Sequence, residues 1–140
     1  MFDRQKLIQQ LRRHEGERLK PYRCTAGKLT IGVGRNLDDR GITAAESAYL
    51  LSNDIDRVWT ELQARLPWVT GLNDVRQRVL LDMAFNLGID GLLKFRNTLA
   101  TIQAGSYQKG GEMMLDSLWA KQVGMRAQRL SRMMQTGTDG

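Results

Sequence analysis

Apolar residues recur at helical spacing near the start of the chain. Leu7, Ile8 and Leu11 fall on one face of a helix with a polar opposite face. Asp3 is a suitable N-cap residue. The pattern therefore predicts a helix from Asp3 to His14.

Between Pro21 and Gly34 the helical spacing is lost. This segment holds a proline, three glycines and a short β-favouring run, residues 29–33. Turn-forming residues around such a run are typical of paired strands. The sequence predicts a hairpin or small sheet here.

A second helix begins at a capping box, in which Thr43 and Glu46 can satisfy each other's exposed backbone amides. Apolar residues then recur at Ile55, Val58, Trp59, Leu62 and Leu66. Pro67 ends the pattern. A helix of about 23 residues is long for a protein of 140, which predicts a strut between two lobes.

The second half of the chain is helical. Asn73 can cap a helix that ends at Gly88. Two further helices are predicted over residues 92–104 and 124–135, and the second is expected to end at Gly137. Between them, two adjacent glycines weaken the helical signal.

These elements predict an α+β fold that is mostly helical, built as one domain over residues 1–140. Residues from about 15 to 50 form a small β-containing lobe. Residues from about 67 to 140, together with the N-terminal helix, form a helical lobe, and the long helix joins the two.

The composition, 41% hydrophobic and 26% charged, is that of a soluble globular protein. No apolar run approaches the roughly 18–20 residues that span a bilayer, and the N-terminus lacks the apolar block of a signal peptide. The single cysteine, Cys24, cannot form an internal disulfide. We expect synthesis in a cytoplasm and no stable membrane insertion.

The net charge of +6 favours an anionic partner. The basic residues are spread along the chain, and no zinc-ligand set or RNA-binding aromatic signature accompanies them. We therefore expect no nucleic-acid partner. The sequence also shows no metal-ligand set and no phosphate-cradling loop, so we expect no metal and no cofactor.

Three residues at or near the predicted hairpin carry groups that can donate a proton or hold a water molecule. Eight residues separate Glu15 from Cys24, and five separate Cys24 from Thr30. A carboxylic acid can protonate a leaving oxygen, while a hydroxyl and a thiol can hold a water opposite it. A helix C-terminus favours cations, so a carboxyl at Glu15 lies against the local electrostatic preference.

The order and spacing of these residues resemble the signature of the phage lysozyme family, glycoside hydrolase family 24. That signature is Glu, eight residues, Asp or Cys, five residues, then Thr. The resemblance extends over nearly the whole chain, in residues 72–76, 83–88, 95–99 and 136–138 and in Trp119 with Arg126. It implies a lysozyme-like fold.

The resemblance implies hydrolysis of the β-1,4 bond between N-acetylmuramic acid and N-acetylglucosamine in peptidoglycan. Glu15 would be the general acid, and Thr30, helped by Cys24, would position a water on the opposite face of the sugar. That arrangement implies inversion at the anomeric carbon.

The same resemblance implies a substrate-binding set of Phe85, Asn86, Thr98 and Arg126, with Arg126 paired to Glu15 across a cleft. Trp119 we interpret as core. Arg35 stands where the best-known relatives have His, so an ion pair at that position must differ. The implied partner is the anionic cell wall, reached by a monomer that leaves the host cytoplasm through a holin pore and acts in the periplasm.

Two other functions stay open at this point. A lytic transglycosylase of the same fold would use one Glu and no water, although Thr30 at its motif position argues against it. A basic wall- or membrane-binding protein could instead lyse cells through an amphipathic C-terminal helix. That helix carries Leu130, Met133 and Met134 beside Arg129 and Arg132.

The role of Cys24 also has two alternatives. As a thiolate it could attack the anomeric carbon and give retention, or as a thiol it could pack beside the water and give inversion. No adjacent His or Lys activates it in the local sequence, but Arg23 and Lys20 could lower its pKa.

Overall fold

The computed structural model describes residues 1–139, which form a mostly helical α+β structure with one small sheet. The contacts divide the chain into two compact units, Met1–Leu50 and Leu51–Gly140. The boundary falls inside the long helix, and the predicted strut between two lobes stays a prediction. The N-terminal helix is grouped with the first unit, and its predicted place in the helical lobe stays a prediction.

Helix α1 spans Arg4–Glu15 and is capped as predicted, because the Asp3 carboxylate accepts a hydrogen bond from the Lys6 N–H at 3.1 Å. It ends at Gly16, whose positive φ of 75° only glycine adopts readily. The helix ends one residue later than the pattern predicted, so Glu15 is its last residue.

The predicted hairpin is present and gains a third strand. Strands β1 (Arg18–Arg23), β2 (Leu29–Gly32) and β3 (Arg35–Asn36) pair antiparallel in that order. Tyr22 pairs with Thr30, and Thr30 pairs with Asn36. Paired residues share one face of a sheet, so Thr30 lies in the middle of a row of three side chains.

Helix α2 spans Ala44–Arg65 and begins at the predicted capping box. The Thr43 N–H donates to Glu46 at 2.8 Å, and the Glu46 N–H donates to the Thr43 hydroxyl at 3.1 Å. Pro67 opens a short 3₁₀-helix, Pro67–Gly71, and so ends α2 as predicted.

Glu46 has a second partner that the sequence did not reveal. The Arg35 guanidinium donates two hydrogen bonds to its carboxylate, both at 2.8 Å, and a third to the Gly41 carbonyl at 3.2 Å. These contacts tie β3 to the first turn of α2. The hydrogen bond from Arg35 and, next, that from the Thr43 N–H lower the pKa of Glu46 from 4.5 to about 2.

We expect this carboxylate to make stability depend on pH in acid. A pKa lowered by folding stabilises the folded state above the unfolded pKa, and the contribution is lost as the pH falls through the folded pKa. The loss should therefore run from about pH 4.5 down to about pH 2. Urea unfolding across this range should show a shallower pH dependence in Glu46→Gln, and identical curves for both chains would contradict the assignment.

The second unit holds five helices among the residues that the structure describes: α3 (Asp74–Leu93), α4 (Arg96–Gln103), α5 (Tyr107–Leu115), α6 (Leu118–Val123) and α7 (Met125–Thr136). Helix α3 is interrupted at Gly88, with φ 76° and ψ 160°, where the sequence predicted a stop. The predicted helix over residues 92–104 is wrong at its start, because the chain breaks at Lys94 and Phe95 before α4 begins.

Helix α7 ends at Gly137 in the left-handed conformation, as predicted. Residues at the start of α3 complete this end. The Arg76 guanidinium donates to the carbonyls of Met134 at 2.7 Å and Gln135 at 3.1 Å, and the Asn73 amide donates to the Gly137 carbonyl at 3.1 Å. The unpaired carbonyls that close any helix are therefore satisfied by side chains of α3.

The apolar side of α7 lies in the core of the second unit. Leu130 is 3% exposed, Met133 9% and Met134 0%. Insertion of a helix into a lipid interface requires a free apolar face, and these three residues are already packed. The structure therefore argues against lysis by this helix. None of the helices over residues 1–139 combines the length and apolar character needed to cross a membrane.

Helix α5 packs closely against two other helices at a pair of adjacent glycines. Gly110 and Gly111 are both buried in α5, and the Ser131 hydroxyl donates to the Gly111 carbonyl at 2.6 Å. A Cβ at position 111 would lie 2.7 Å from the Ser131 carbonyl oxygen and would also clash with Gln135. A Cβ at position 110 would lie 2.6 Å from a side-chain carbon of Ile102 in α4. The residues that weakened the helical signal are thus those that let α4 and α7 approach α5.

Gly111→Ala is expected to destabilise the protein by about 1–3 kcal/mol, because overpacking against a backbone atom forces the helices apart. Gly71→Ala is the matched control, since a Cβ there meets nothing within 4 Å. The free energy of unfolding from urea titration checks both variants. Equal stabilities for the two would show that the close approach does not constrain position 111.

Candidate active site

Glu15 is the last residue of α1 and is exposed. Its carboxyl group lies against Gly34, in the turn between β2 and β3. A Cβ placed on Gly34 would stand 3.2 Å from Glu15 Oε2 and 3.5 Å from its carboxyl carbon. The structure thus brings the predicted acid to the turn that follows the strand holding Thr30.

Cys24 follows β1 directly and opens the hairpin turn. Its N–H donates to the Lys28 carbonyl at 3.0 Å, and its carbonyl accepts from the Gly27 N–H at 2.8 Å. Gly27 adopts a positive φ of 79°, which closes the turn without steric cost. The thiol is half-buried.

The turn creates an environment that favours the thiolate. The backbone N–H of Lys28 and, next, that of Ala26 lower the pKa of Cys24 against the opposing effect of burial. Hydrogen bonds to the charged form act in this direction. The cause is therefore backbone amides, whereas the sequence suggested the side chains of Arg23 and Lys20.

Thr30 is buried, with 4% of its surface exposed. Its hydroxyl donates to the Lys28 carbonyl at 2.8 Å, so its proton is committed to the backbone. The oxygen keeps lone pairs that can accept a hydrogen bond from water. Cys24 and Thr30 are therefore brought together at one end of the hairpin, and both lie in the same unit as Glu15.

Phe85 and Arg126 lie together in the second unit. They line a groove of about 1080 Å³ between α2, α3 and α7, whose floor is apolar. Phe85 is 45% exposed there. Arg126 donates to Asp82 from Nε at 2.9 Å and from a terminal nitrogen at 2.6 Å. This ion pair was not predicted, and the pairing of Arg126 with Glu15 stays a prediction.

Asn86 and Thr98 lie apart from that groove. The Asn86 side-chain oxygen accepts a hydrogen bond from the Trp119 indole at 2.8 Å, and Trp119 is 5% exposed. The interpretation of Trp119 as core is confirmed. Thr98 is buried and lines a smaller cavity of about 410 Å³ with Phe95 and Ser117. Contact of Asn86 or Thr98 with sugar stays a prediction.

Sequence reasoning missed two residues of the site. Gly34 was noted only as part of a turn, and Asp82 was not associated with Arg126. A glycine pair in the pattern Gly-x-Gly signals a turn but does not reveal which side chain lies on it. Over residues 1–139, no three His, Cys, Asp or Glu side chains are close enough to hold a metal ion.

Comparison with known proteins gives one family match. The sequence model described as phage lysozyme matches residues 12–135, a range that includes Glu15, Cys24 and Thr30. The endolysin of Salmonella phage P22 is 32% identical over 81% of this chain and 80% of its own length. The probable T4-type lysozyme 1 of Dictyostelium discoideum is 26% identical over 91% of this chain and 92% of its own length.

A longer protein also contains a region similar to this chain. The pre-baseplate central spike protein Gp5 of Enterobacteria phage T4 is 29% identical over 94% of this chain. The chain spans 28% of the length of that protein. Relatives of this sequence are thus found both at similar length and as one part of a longer chain.

Proposed function

Since the chain belongs to the phage lysozyme family, we propose that it is an endolysin that hydrolyses the β-1,4 bond between N-acetylmuramic acid and N-acetylglucosamine in peptidoglycan. The main support is the joint placement of three motif residues. Glu15 contacts the turn after β2, Thr30 lies within β2, and Cys24 opens the turn before it. The family match spans all three.

In this proposal Glu15 protonates the glycosidic oxygen as the bond to the anomeric carbon breaks. A proton donor must come within hydrogen-bond reach of that oxygen, about 2.6–3.2 Å. The side chain is exposed at a helix end and so is accessible to a polymer. The charge that develops on the sugar ring is that of an oxocarbenium-like transition state.

The attacking water is held at the hairpin. Because the Thr30 hydroxyl donates to Lys28, it offers its oxygen as an acceptor, which fixes one hydrogen of the water. Cys24 lies beside it, and its lowered pKa makes the sulfur a better acceptor for the second hydrogen. The water attacks the anomeric carbon on the face opposite the departing group and inverts it. The proton that the water loses passes to the Cys24 thiolate or to solvent.

The setting of the reaction is part of the proposal. The protein acts as a monomer on the anionic wall, which its net charge of +6 favours. It is made in the host cytoplasm, reaches the periplasm through a holin pore and releases progeny by lysis. Peptidoglycan as the substrate follows from the family. The support for the route is that relatives of this chain are named endolysins.

Mass analysis of the fragments released from purified peptidoglycan tests this function. Reducing N-acetylmuramic acid ends are expected, because water adds to the anomeric carbon. Anhydro-sugar ends would instead identify a lytic transglycosylase. Intact peptidoglycan after incubation with folded protein would favour a wall-binding protein. Glu15→Gln protein, incubated in parallel, controls for contaminating hydrolases.

A further inference from the structure

The carboxyl group of Glu15 packs against the backbone of Gly34. Three consecutive side-chain atoms make this contact: a Cβ at position 34 would lie 3.2 Å from Oε2, 3.5 Å from Cδ and 3.6 Å from Cγ. The shortest of these distances is tighter than ordinary van der Waals contact. The carboxyl group therefore occupies space that is open only because residue 34 has no side chain.

No polar contact within the first unit holds this carboxyl group. Across Met1–Leu50, the neighbouring Glu17 pairs with Arg12 at 3.7 Å, but no hydrogen bond or ion pair is made by the Glu15 side chain. An exposed glutamate at a helix end has several rotamers of similar energy. The space beside Gly34 is thus the feature of this unit that accommodates the carboxyl group in the orientation observed.

A second glycine of the same turn shows that backbone conformation alone does not account for this contact. Gly32 and Gly34 both have positive φ, 68° and 72°. A Cβ on Gly32 meets nothing within 4 Å, whereas one on Gly34 meets Glu15. Both positions need glycine for the turn, and position 34 also needs it for the space beside the carboxyl group.

We propose that Gly34 is a positioning residue for the acid: its bare Cα forms the surface on which the Glu15 carboxyl group rests and from which it reaches the glycosidic oxygen. This inference rests on the proposed function. A methyl group at position 34 pushes the carboxyl group aside by a few tenths of an ångström. Misplacement of a reacting group by about 1 Å can cost on the order of 10²-fold in rate, so a smaller loss, of about 10-fold, is expected here.

The test compares Gly34→Ala with Gly32→Ala on a soluble peptidoglycan fragment of defined length. Both variants force an L-residue into the same positive-φ turn, so both should lose a similar amount of thermal stability. Only Gly34→Ala is expected to lower kcat, by about 10-fold, with little change in KM. Equal kcat values for the two variants would overturn the proposal.

A double-variant comparison separates an effect through Glu15 from any other. Glu15→Asp withdraws the carboxyl group by one methylene, so adding Gly34→Ala to it should lower kcat little further. A full additional loss, equal to that in the parent chain, would show that Gly34 acts independently of Glu15. If Gly34→Ala alone folds poorly, this comparison also separates the clash from the strain of the positive φ, because the shorter aspartate relieves only the clash.

These results are separable from failure of the proposed function. If Glu15→Gln retains activity, Glu15 is not the acid and the function fails first. If Glu15→Gln is inactive but Gly34→Ala keeps the parent kcat, the function stands and only the positioning role of Gly34 is wrong.

Discussion

Replacing Glu15 with glutamine is expected to lower the rate of peptidoglycan cleavage by about 10²–10⁴-fold or more, the usual loss on removal of a general acid. The amide keeps the shape of the side chain and its fit against Gly34, but it has no acidic proton. Because the side chain is exposed and makes no hydrogen bond within its own unit, the fold should be unaffected. Turbidity loss of purified walls measures the rate.

Glu17→Gln is the matched control for this substitution. Glu17 is two residues away, its side chain is 45% exposed, and its only described ion pair is a loose one to Arg12 at 3.7 Å. Exposed pairs of this kind contribute little to stability, so the control should retain full activity. Comparable clearing of walls by Glu15→Gln and the parent chain would remove Glu15 from the mechanism.

Cys24→Asp is expected to keep activity, and Cys24→Ala to lose no more than about 10²-fold, the low end for an acid–base contribution. In the proposed mechanism position 24 assists a water that Thr30 also holds. The turn amides that favour the thiolate belong to Lys28 and Ala26, so they would equally stabilise an aspartate. Rates on purified walls compare the three chains.

The first product decides between the two roles of Cys24. Proton NMR before mutarotation should show the α-anomer, as expected for direct attack by water on a β-linkage. The lowered pKa of the thiol supports the alternative role, in which the thiolate attacks the anomeric carbon, since a thiolate is a strong nucleophile. A β product, an inactive Cys24→Ala chain and a trapped sugar on Cys24 would establish a covalent mechanism instead, with the substrate unchanged.

Element ends with local chemistry could be predicted from the sequence. Asp3 caps α1, Thr43 and Glu46 form the box that begins α2, and Gly137 ends α7, each through contacts within a few residues. Such contacts depend on the order of residues alone. The fold class followed from these ends and from the single β-favouring segment.

Features that depend on contacts distant in sequence could not be predicted. The break at Lys94 and Phe95 leaves the Phe95 ring edge-on to Trp119, with centroids 6.0 Å apart. The two adjacent glycines weaken the helical signal in the sequence, yet they lie inside α5, where neighbouring helices pack against them. In both places tertiary packing overrides local propensity, which is a weak constraint by itself.

The candidate site shows the same division. The match of Glu15, Cys24 and Thr30 to the family signature could be found in the sequence, because it depends only on residue type, order and spacing. The surroundings of these residues could not be predicted. The sequence suggested that basic side chains lower the pKa of Cys24, whereas backbone amides lower it. The partner of Arg126, Asp82, is 44 positions away, and no local pattern links the two.

The double use of Glu46 has a consequence for how this sequence can diverge. Its carboxylate serves the start of α2 through Thr43 and the end of the sheet through Arg35, so one mutation at position 46 breaks two contacts in different elements. A change at position 35 leaves the helix cap whole. Divergence should therefore begin at position 35, with glutamate retained at 46 while its strand partner is exchanged for another donor.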